Sequence, residues 1–200
     1  MSSRLLMVLL AAVAAVALTS PAMASAKRHT PSYKNELRKV DTAWRLFLND
    51  QKALAGETQS ATGLCQQAKD AESDPDMQQY AFLFWQALDI VVNEDARPIF
   101  DDAENRQDVA AKSTRALKET FTRVWRNQEA KRRKLRSGTT KVLTANAPFI
   151  SGMREIDAAL TAWAAHDCGG AQAHVATANA IMPQGEAPLN AGMALLKSLL

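Results

Sequence analysis

An apolar stripe between Leu37 and Ala68 is the feature that most limits how this chain can fold. Its apolar residues recur at alternating steps of three and four for more than four heptads, with Gln51 and Thr58 filling two positions. This spacing places them on one side of an α-helix and is typical of helices that pack side by side at shallow angles. We therefore expect a long first helix whose core face consists of Leu37, Val40, Trp44, Phe47, Leu54, Ala61, Cys65 and Ala68.

Two glycines lie inside this predicted helix and weaken it. Gly56 and Gly63 each cost up to ~1 kcal/mol relative to alanine in a helix interior. The sequence therefore leaves open whether the helix continues through Gly56 or bends or breaks there. We expect the helix to begin at Pro31 or Ser32, after a loose tail.

A second stretch, from Met77 to Val92, is apolar around nearly the whole circumference of a helix and holds four aromatic residues within six positions. An element that is apolar on every side but one is normally surrounded by other elements. At about 16 residues with an acid inside, it is shorter than the ~20 residues that a membrane span needs. We predict that it is the central helix of a bundle, with one narrow polar stripe formed by Gln79, Gln86, Asp89 and Asn93.

The rest of the chain also has helical periodicity, and no segment alternates convincingly with a period of two. We predict a third helix that ends at Ser137-Gly138, because glycine commonly follows a helix C-terminus. A fourth helix covers about 144–170, and short helices over 171–181 and 189–200 flank a loop over 183–188. The predicted fold is an all-α antiparallel bundle of about four main helices plus one or two short C-terminal helices. Its expected core anchors are Trp44, Phe84, Trp85, Phe121 and Trp163.

The first 26 residues have every part of a secretory signal peptide. Arg4 supplies a positive charge, an uncharged apolar run follows from Leu5 to Leu18, and small residues mark cleavage sites after Ala26 or Ala24. A retained membrane anchor is the alternative. We expect residues 1–26 to be removed and residues 27–200 to form a single helical domain without a membrane span, secreted or periplasmic.

Cys65 and Cys168 are the two cysteines of the chain. In an exported protein an even number of cysteines most simply indicates a disulfide, so we predict a bridge between them. A metal site or a reactive thiol is the competing interpretation. No second cluster with zinc spacing accompanies Cys168. The acidic run from Asp70 to Asp76 lacks the glycine and the glutamate of a calcium loop, so we predict no metal and no cofactor.

Seven basic residues and one acid, Glu129, lie between Arg126 and Lys141 and give this segment a charge of +6. Residues 131–134 and 136 point in all directions around a helix, so we predict that this part cannot be buried. One interpretation is a surface for an anionic partner, such as a cell-wall polymer, lipid headgroups or nucleic acid. The candidate residues are Arg126, Lys131, Arg132, Arg133, Lys134, Arg136 and Lys141.

The competing interpretation is that these bases complement a helix dipole. Asp101, Asp102, Glu104 and Asp108 lie near the start of the same predicted helix and the bases near its end. The dipole favours that arrangement by a few tenths to ~1 kcal/mol per charge. No aromatic residues interleave with the bases, so stacking on nucleic-acid bases has no support. We predict no specific nucleic-acid partner.

Catalytic groups are scarce in this sequence, which has only three histidines, His29, His166 and His174. No spaced pair of carboxylates singles out a general acid and a general base. We therefore expect an exported soluble helical-bundle protein that acts as a non-enzymatic binding or interaction module for a protein or an anionic envelope polymer. The alternatives are a carrier of a small apolar ligand in the bundle core and a hydrolase that uses His166 and carboxylates.

The leader generates a prediction about one peptide bond. N-terminal sequencing of the exported protein should begin at Lys27, or at Ser25 if the second site is cleaved, because small residues precede both bonds. Recovery of the intact N-terminus in the membrane fraction would instead show a retained anchor.

Overall fold

Four antiparallel rods of helix form residues 31–200, the part of the chain that the computed structural model describes. The predicted leader over residues 1–26 and the tail over 27–30 lie outside the described residues. The first rod is one helix, α1 (Tyr33–Ser73), which continues through Gly56 and Gly63. A Cβ added at either glycine would meet no atom within 4 Å. Both positions therefore face open space, and the predicted apolar stripe is buried along the length of α1.

The second rod consists of α2 (Gln78–Ile90), a π-helical turn (Val91–Ala96) and α3 (Arg97–Val124), which follow one another without a gap. Pro98 lies in the first turn of α3. Proline has no N–H to give to the preceding turn, and its ring crowds the carbonyl four residues earlier. The wider π turn accommodates this proline, so the second and third predicted helices form a single rod that returns along α1.

The third and fourth rods form a second hairpin in the same way. α4 (Glu129–Thr144) leads into α5 (Asn146–Ala164), and α6 (Cys168–Ile181) leads into α7 (Pro183–Lys197). The predicted loop over 183–188 is wrong, since these residues form the first turns of α7. Pro183 lies at the first helical position, where proline is tolerated, and Pro188 lies inside the helix. The prediction of an all-α antiparallel bundle is confirmed. Among residues 31–200 no helix has the length and apolar composition needed to cross a membrane.

The disulfide predicted between Cys65 and Cys168 is confirmed and ties the two hairpins together. The Cα atoms of the two cysteines are 5.7 Å apart, and the bond joins α1 to the start of α6. Phe84 was expected to anchor the core, and this is wrong, because its side chain is only half-buried at the edge of the core. The other four are buried: Trp44, Trp85, Phe121 and Trp163.

The interpretation of Met77–Val92 as a central helix is wrong. α2 buries one narrow face, formed by Ala81, Trp85 and Leu88, against its neighbours. The predicted polar stripe faces solvent, but so do several of the large apolar side chains beside it. The helix with a long buried stripe is α1 instead, which packs against α2, α3, α6 and α7. Apolar composition around a helix therefore did not indicate burial here.

Helices α4 and α7 approach each other closely at Gly138 and Gly192, and the contact leaves no room for a side chain at Gly192. A Cβ added to Gly192 would lie 2.7 Å from the carbonyl oxygen of Gly138 and 2.8 Å from the backbone nitrogen of Val142. Backbone atoms of a packed helix cannot move aside as the end of a flexible side chain can. The predicted helix end at Ser137-Gly138 is therefore wrong: Gly138 is inside α4, and its missing side chain allows the contact with α7.

This contact and the open glycines of α1 give a matched pair of predictions. Gly192→Ala should lower the free energy of unfolding by about 1–3 kcal/mol, because the new methyl group overpacks a rigid contact. Gly63→Ala should raise it by up to ~1 kcal/mol through helix propensity alone. Urea unfolding followed by circular dichroism measures both, and equal effects of the two substitutions would contradict the close packing.

Candidate anion-binding groove between α3 and α4

A turn over residues 125–128 separates the predicted third helix into α3 and α4. α3 ends at Val124, and α4 begins at Glu129, so the basic run forms the first turns of a new helix. The residues around the turn pack tightly, because Trp125 is buried against the rings of Tyr33 and Phe121, with centroids 4.8 Å and 5.1 Å away. The chain reverses direction here and α4 returns along α3.

The dipole of a single helix therefore does not explain Lys131 to Lys134, although Lys141 lies in the last turn of α4, where the dipole favours a base. Lys131 to Lys134 lie at the N-terminal end of α4, which carries the positive end of the dipole. A base at this helix end is disfavoured by a few tenths to ~1 kcal/mol, the same amount by which an acid is favoured there. The fold thus places basic side chains at the helix end where the backbone dipole is also positive. Glu129 is the acidic residue in the first turn of α4.

A groove with a volume of 610 Å³ runs between the second half of α3 and α4. Arg115, Lys118 and Arg123 contribute from α3, and Arg136 contributes from α4. Glu119 is the acid among the lining residues, with Thr122 and Leu143 completing the walls. Within residues 31–200, none of the four bases lies within 4.0 Å of a carboxylate, although eight ion pairs of lysine or arginine with a carboxylate form elsewhere.

The basic segment predicted from the sequence begins at Arg126 and therefore omits the bases of α3. From Arg115 to Lys141 the chain has ten basic and two acidic residues. The spacing of Arg115, Lys118 and Arg123 places all three on one side of a helix. That stripe was the available signal, but its position beside Arg136 depends on the turn at 125–128.

The predicted surface residues divide into different environments. Arg136 lines the groove, whereas Lys134 and Lys141 are seven residues apart and lie on the opposite side of α4. Lys131 lies over the Trp125 ring, with its Nζ 5.5 Å from the ring centroid. Arg133 is exposed. The seven residues therefore do not form one continuous surface.

Arg132 has a structural role that the sequence did not reveal. Its guanidinium donates to the backbone carbonyl of Arg126 at 3.0 Å and to the Glu129 carboxylate at 2.5 Å. Its side chain is 24% exposed, and its Nε is buried without a partner. It therefore secures the turn that precedes α4, and the assumption that this basic part cannot pack is wrong at this residue.

A second groove, of 540 Å³, continues between α3 and α5 and shares Arg115 with the first. Its lining mixes charges, since Arg97 and Arg154 face Asp101, Glu104 and other acids. Gln107 is buried at its base and donates to the side-chain oxygen of Asn146 at 3.1 Å. The positive charge is thus unbalanced only at the α4 end of this continuous cleft.

His166, the residue of the hydrolase alternative, stacks on Trp85. The ring centroids are 4.2 Å apart and nearly parallel at 14°. The other groups at this site are Asp89, 3.7 Å from the His166 ring, and Glu72, whose pKa the hydrogen bond from the Trp85 indole lowers. Cys168 is held in the disulfide, so it offers no thiol nucleophile. His174 instead contacts Glu155, 2.7 Å away.

The aromatic core invoked by the carrier alternative is filled by its own side chains. The rings of Trp44, Phe47 and Phe149 contact one another with centroids 5.1–5.9 Å apart. All three are buried. No group of three or more His, Cys, Asp and Glu side chains within 31–200 is placed to hold a metal ion.

Comparison with known proteins gives no relative for this chain: no family model, no curated protein and no solved structure matches it.

The turn before α4 generates a prediction with a matched control. Arg132→Gln should lower the free energy of unfolding by about 1 kcal/mol, because it removes two hydrogen bonds from a half-buried charge. Arg133→Gln should change it by less than ~0.5 kcal/mol. Both substitutions remove one positive charge from the same helix end, so their difference in urea unfolding isolates the hydrogen bonds. Equal values would show that Arg132 does not secure the turn.

Proposed function

We propose that this protein is an exported, non-enzymatic binding module that holds an anionic envelope polymer in the groove between α3 and α4. The observation that carries the proposal is the set of four bases in the groove: Arg115, Lys118, Arg123 and Arg136. An unpaired surface charge retains its full capacity to attract an anion, whereas a base in an ion pair has much of its field cancelled.

The distribution of the charges favours an extended ligand over a small ion. Arg115 and Arg123 are eight residues apart on one helix, which corresponds to roughly 12 Å at 1.5 Å per residue. Arg136 faces them across the groove. A single phosphate or carboxylate would engage only part of this set of bases, whereas a chain with repeated anionic groups can engage all four. The groove is also open to solvent along its length, as a polymer requires.

The environment of the bases favours binding that depends on salt. All four positive groups are at the surface and act through water, where ions screen charges beyond ~8 Å at physiological ionic strength. For a flexible polyanion, the logarithm of the association constant should fall with the logarithm of salt concentration by about 0.7 per contact. Four contacts then give a slope near −2.8, so binding weakens steeply as salt is raised.

Two charge-matched double variants test the groove. Arg123→Gln with Arg136→Gln removes two bases from the groove, and Lys134→Gln with Lys141→Gln removes two from the opposite side of α4. Titration of labelled long-chain polyphosphate and an acidic polysaccharide at 0.05–0.3 M salt should show at least about tenfold weaker binding for the groove variant. Its salt slope should be lower by about 1.4, and the control should stay within about threefold of the unchanged protein.

The outcomes separate a shaped site from general positive charge. Equal losses in the two double variants would show that the net charge of α4, not the groove, attracts the polymer. Absence of binding to both polymers at 0.05 M salt would overturn the proposal altogether. Circular dichroism and thermal unfolding of both variants establish that neither substitution has changed the fold.

A further inference from the structure

An unpartnered row of apolar side chains runs along the outer face of α2. We name Tyr80, Leu83, Ala87 and Ile90 the α2 seam. Tyr80, Leu83 and Ile90 are 44%, 55% and 50% exposed, and Ala87 is half-buried between them. Phe82, which is 64% exposed, lies apart from the seam, within the polar stripe that includes Gln79 and Gln86. Large apolar side chains gathered on one helix face of a protein surface mark an interaction site.

The spacing of the seam indicates the shape of its partner. Its residues follow one another at steps of three, four and three, which is the spacing of the contact positions of a coiled coil. The buried face of α2 is a different row and is already occupied by α1. Side chains with this spacing accept the side chains of a second helix between them, so the seam fits a helix better than an extended chain.

The charges around the seam indicate the chemistry of that helix. From Asp70 to Asp95 the chain has seven acidic residues and no basic residue. Asp76 lies before the first turn of the seam, and Glu94 and Asp95 lie after its last turn, all of them exposed. A partner with basic residues near both ends would be attracted at both ends of α2, and like charges there would be repelled.

Two other occupants fit these charges poorly. A second copy of the chain on the same seam would bring acids against acids in either orientation, because both ends of the seam are acidic. An anionic lipid surface would be repelled for the same reason. We infer that the α2 seam docks an amphipathic helix of a partner protein that has apolar residues at steps of three and four and basic residues at both ends.

This surface is distinct from the groove proposed to bind a polymer. Leu83 and Glu119 belong to the same rod, and roughly 50 Å of helix separates them at 1.5 Å per residue. Success or failure of one proposal therefore leaves the other untouched. Together they describe a protein that could join an anionic polymer to a helical partner.

Three synthetic peptides of about 20 residues test the seam. The first has leucines at steps of three and four with lysines at both ends. The second has the same composition with the leucines at other positions, and the third replaces each lysine by glutamate. Fluorescence anisotropy with the purified protein should show the first peptide binding at least about tenfold more tightly than either of the others.

Variants of the protein then locate the binding. Leu83→Gln with Ile90→Gln should weaken the first peptide at least about tenfold. Leu46→Gln with Val109→Gln, which alters exposed apolar side chains of α1 and α3, should leave it within about threefold. Both pairs keep the net charge unchanged. If the seam variant loses its helical circular dichroism, the milder Leu83→Ala with Ile90→Ala provides the same comparison.

Three results would overturn the inference. One is equal binding of all three peptides, and another is equal loss in the seam and control variants. The third is a dimer in sedimentation velocity that Leu83→Gln with Ile90→Gln dissociates, because the seam would then belong to a second copy of this chain.

Discussion

Burial of the apolar stripe of α1 is the interaction on which the rest of the fold depends. The stripe extends over the whole 41-residue helix, and α1 packs against helices of both the second and the fourth rods. Trp44 joins three helices in this way, since its ring contacts Phe149 of α5 and its indole Nε1 donates to Thr114 of α3 at 3.3 Å. A polar residue at such a position would leave three helices without a common core.

The joints between the two hairpins explain where the grooves lie. Within each hairpin the helices interlock closely, as the glycine contact between α4 and α7 shows. Between hairpins the core is also packed, but at the surface the clefts beside α3 run along the joint, where Arg97 and Asp157 form an ion pair across it. A third cleft, lined by Leu48 and Met182 among others, follows the joint between α1 and the fourth rod. The positions of the surface clefts therefore follow from how the two hairpins pack against each other.

Helix α1 could be predicted from the sequence, because the alternation of three- and four-residue steps between core residues is a property of the helix itself. It failed at α2 because apolar composition alone does not say which of the apolar side chains pack against the rest of the chain, and Tyr80, Leu83 and Ile90 stay exposed. It failed at Gly138 because the absence of a side chain suits a helix end and a close helix contact equally well. The groove could not be predicted for a related reason: Arg115 and Arg136 face each other across it only because the chain turns at 125–128, which no local pattern marks.

The segregation of charge along the second rod has a further consequence. The acidic segment around α2 and the basic segment around the start of α4 are separated by several screening lengths at physiological salt. Neither end then alters the electrostatic potential that a ligand meets at the other. A ligand bound at one end of the molecule therefore does not change, through electrostatic interaction, the affinity of the other end for its own ligand.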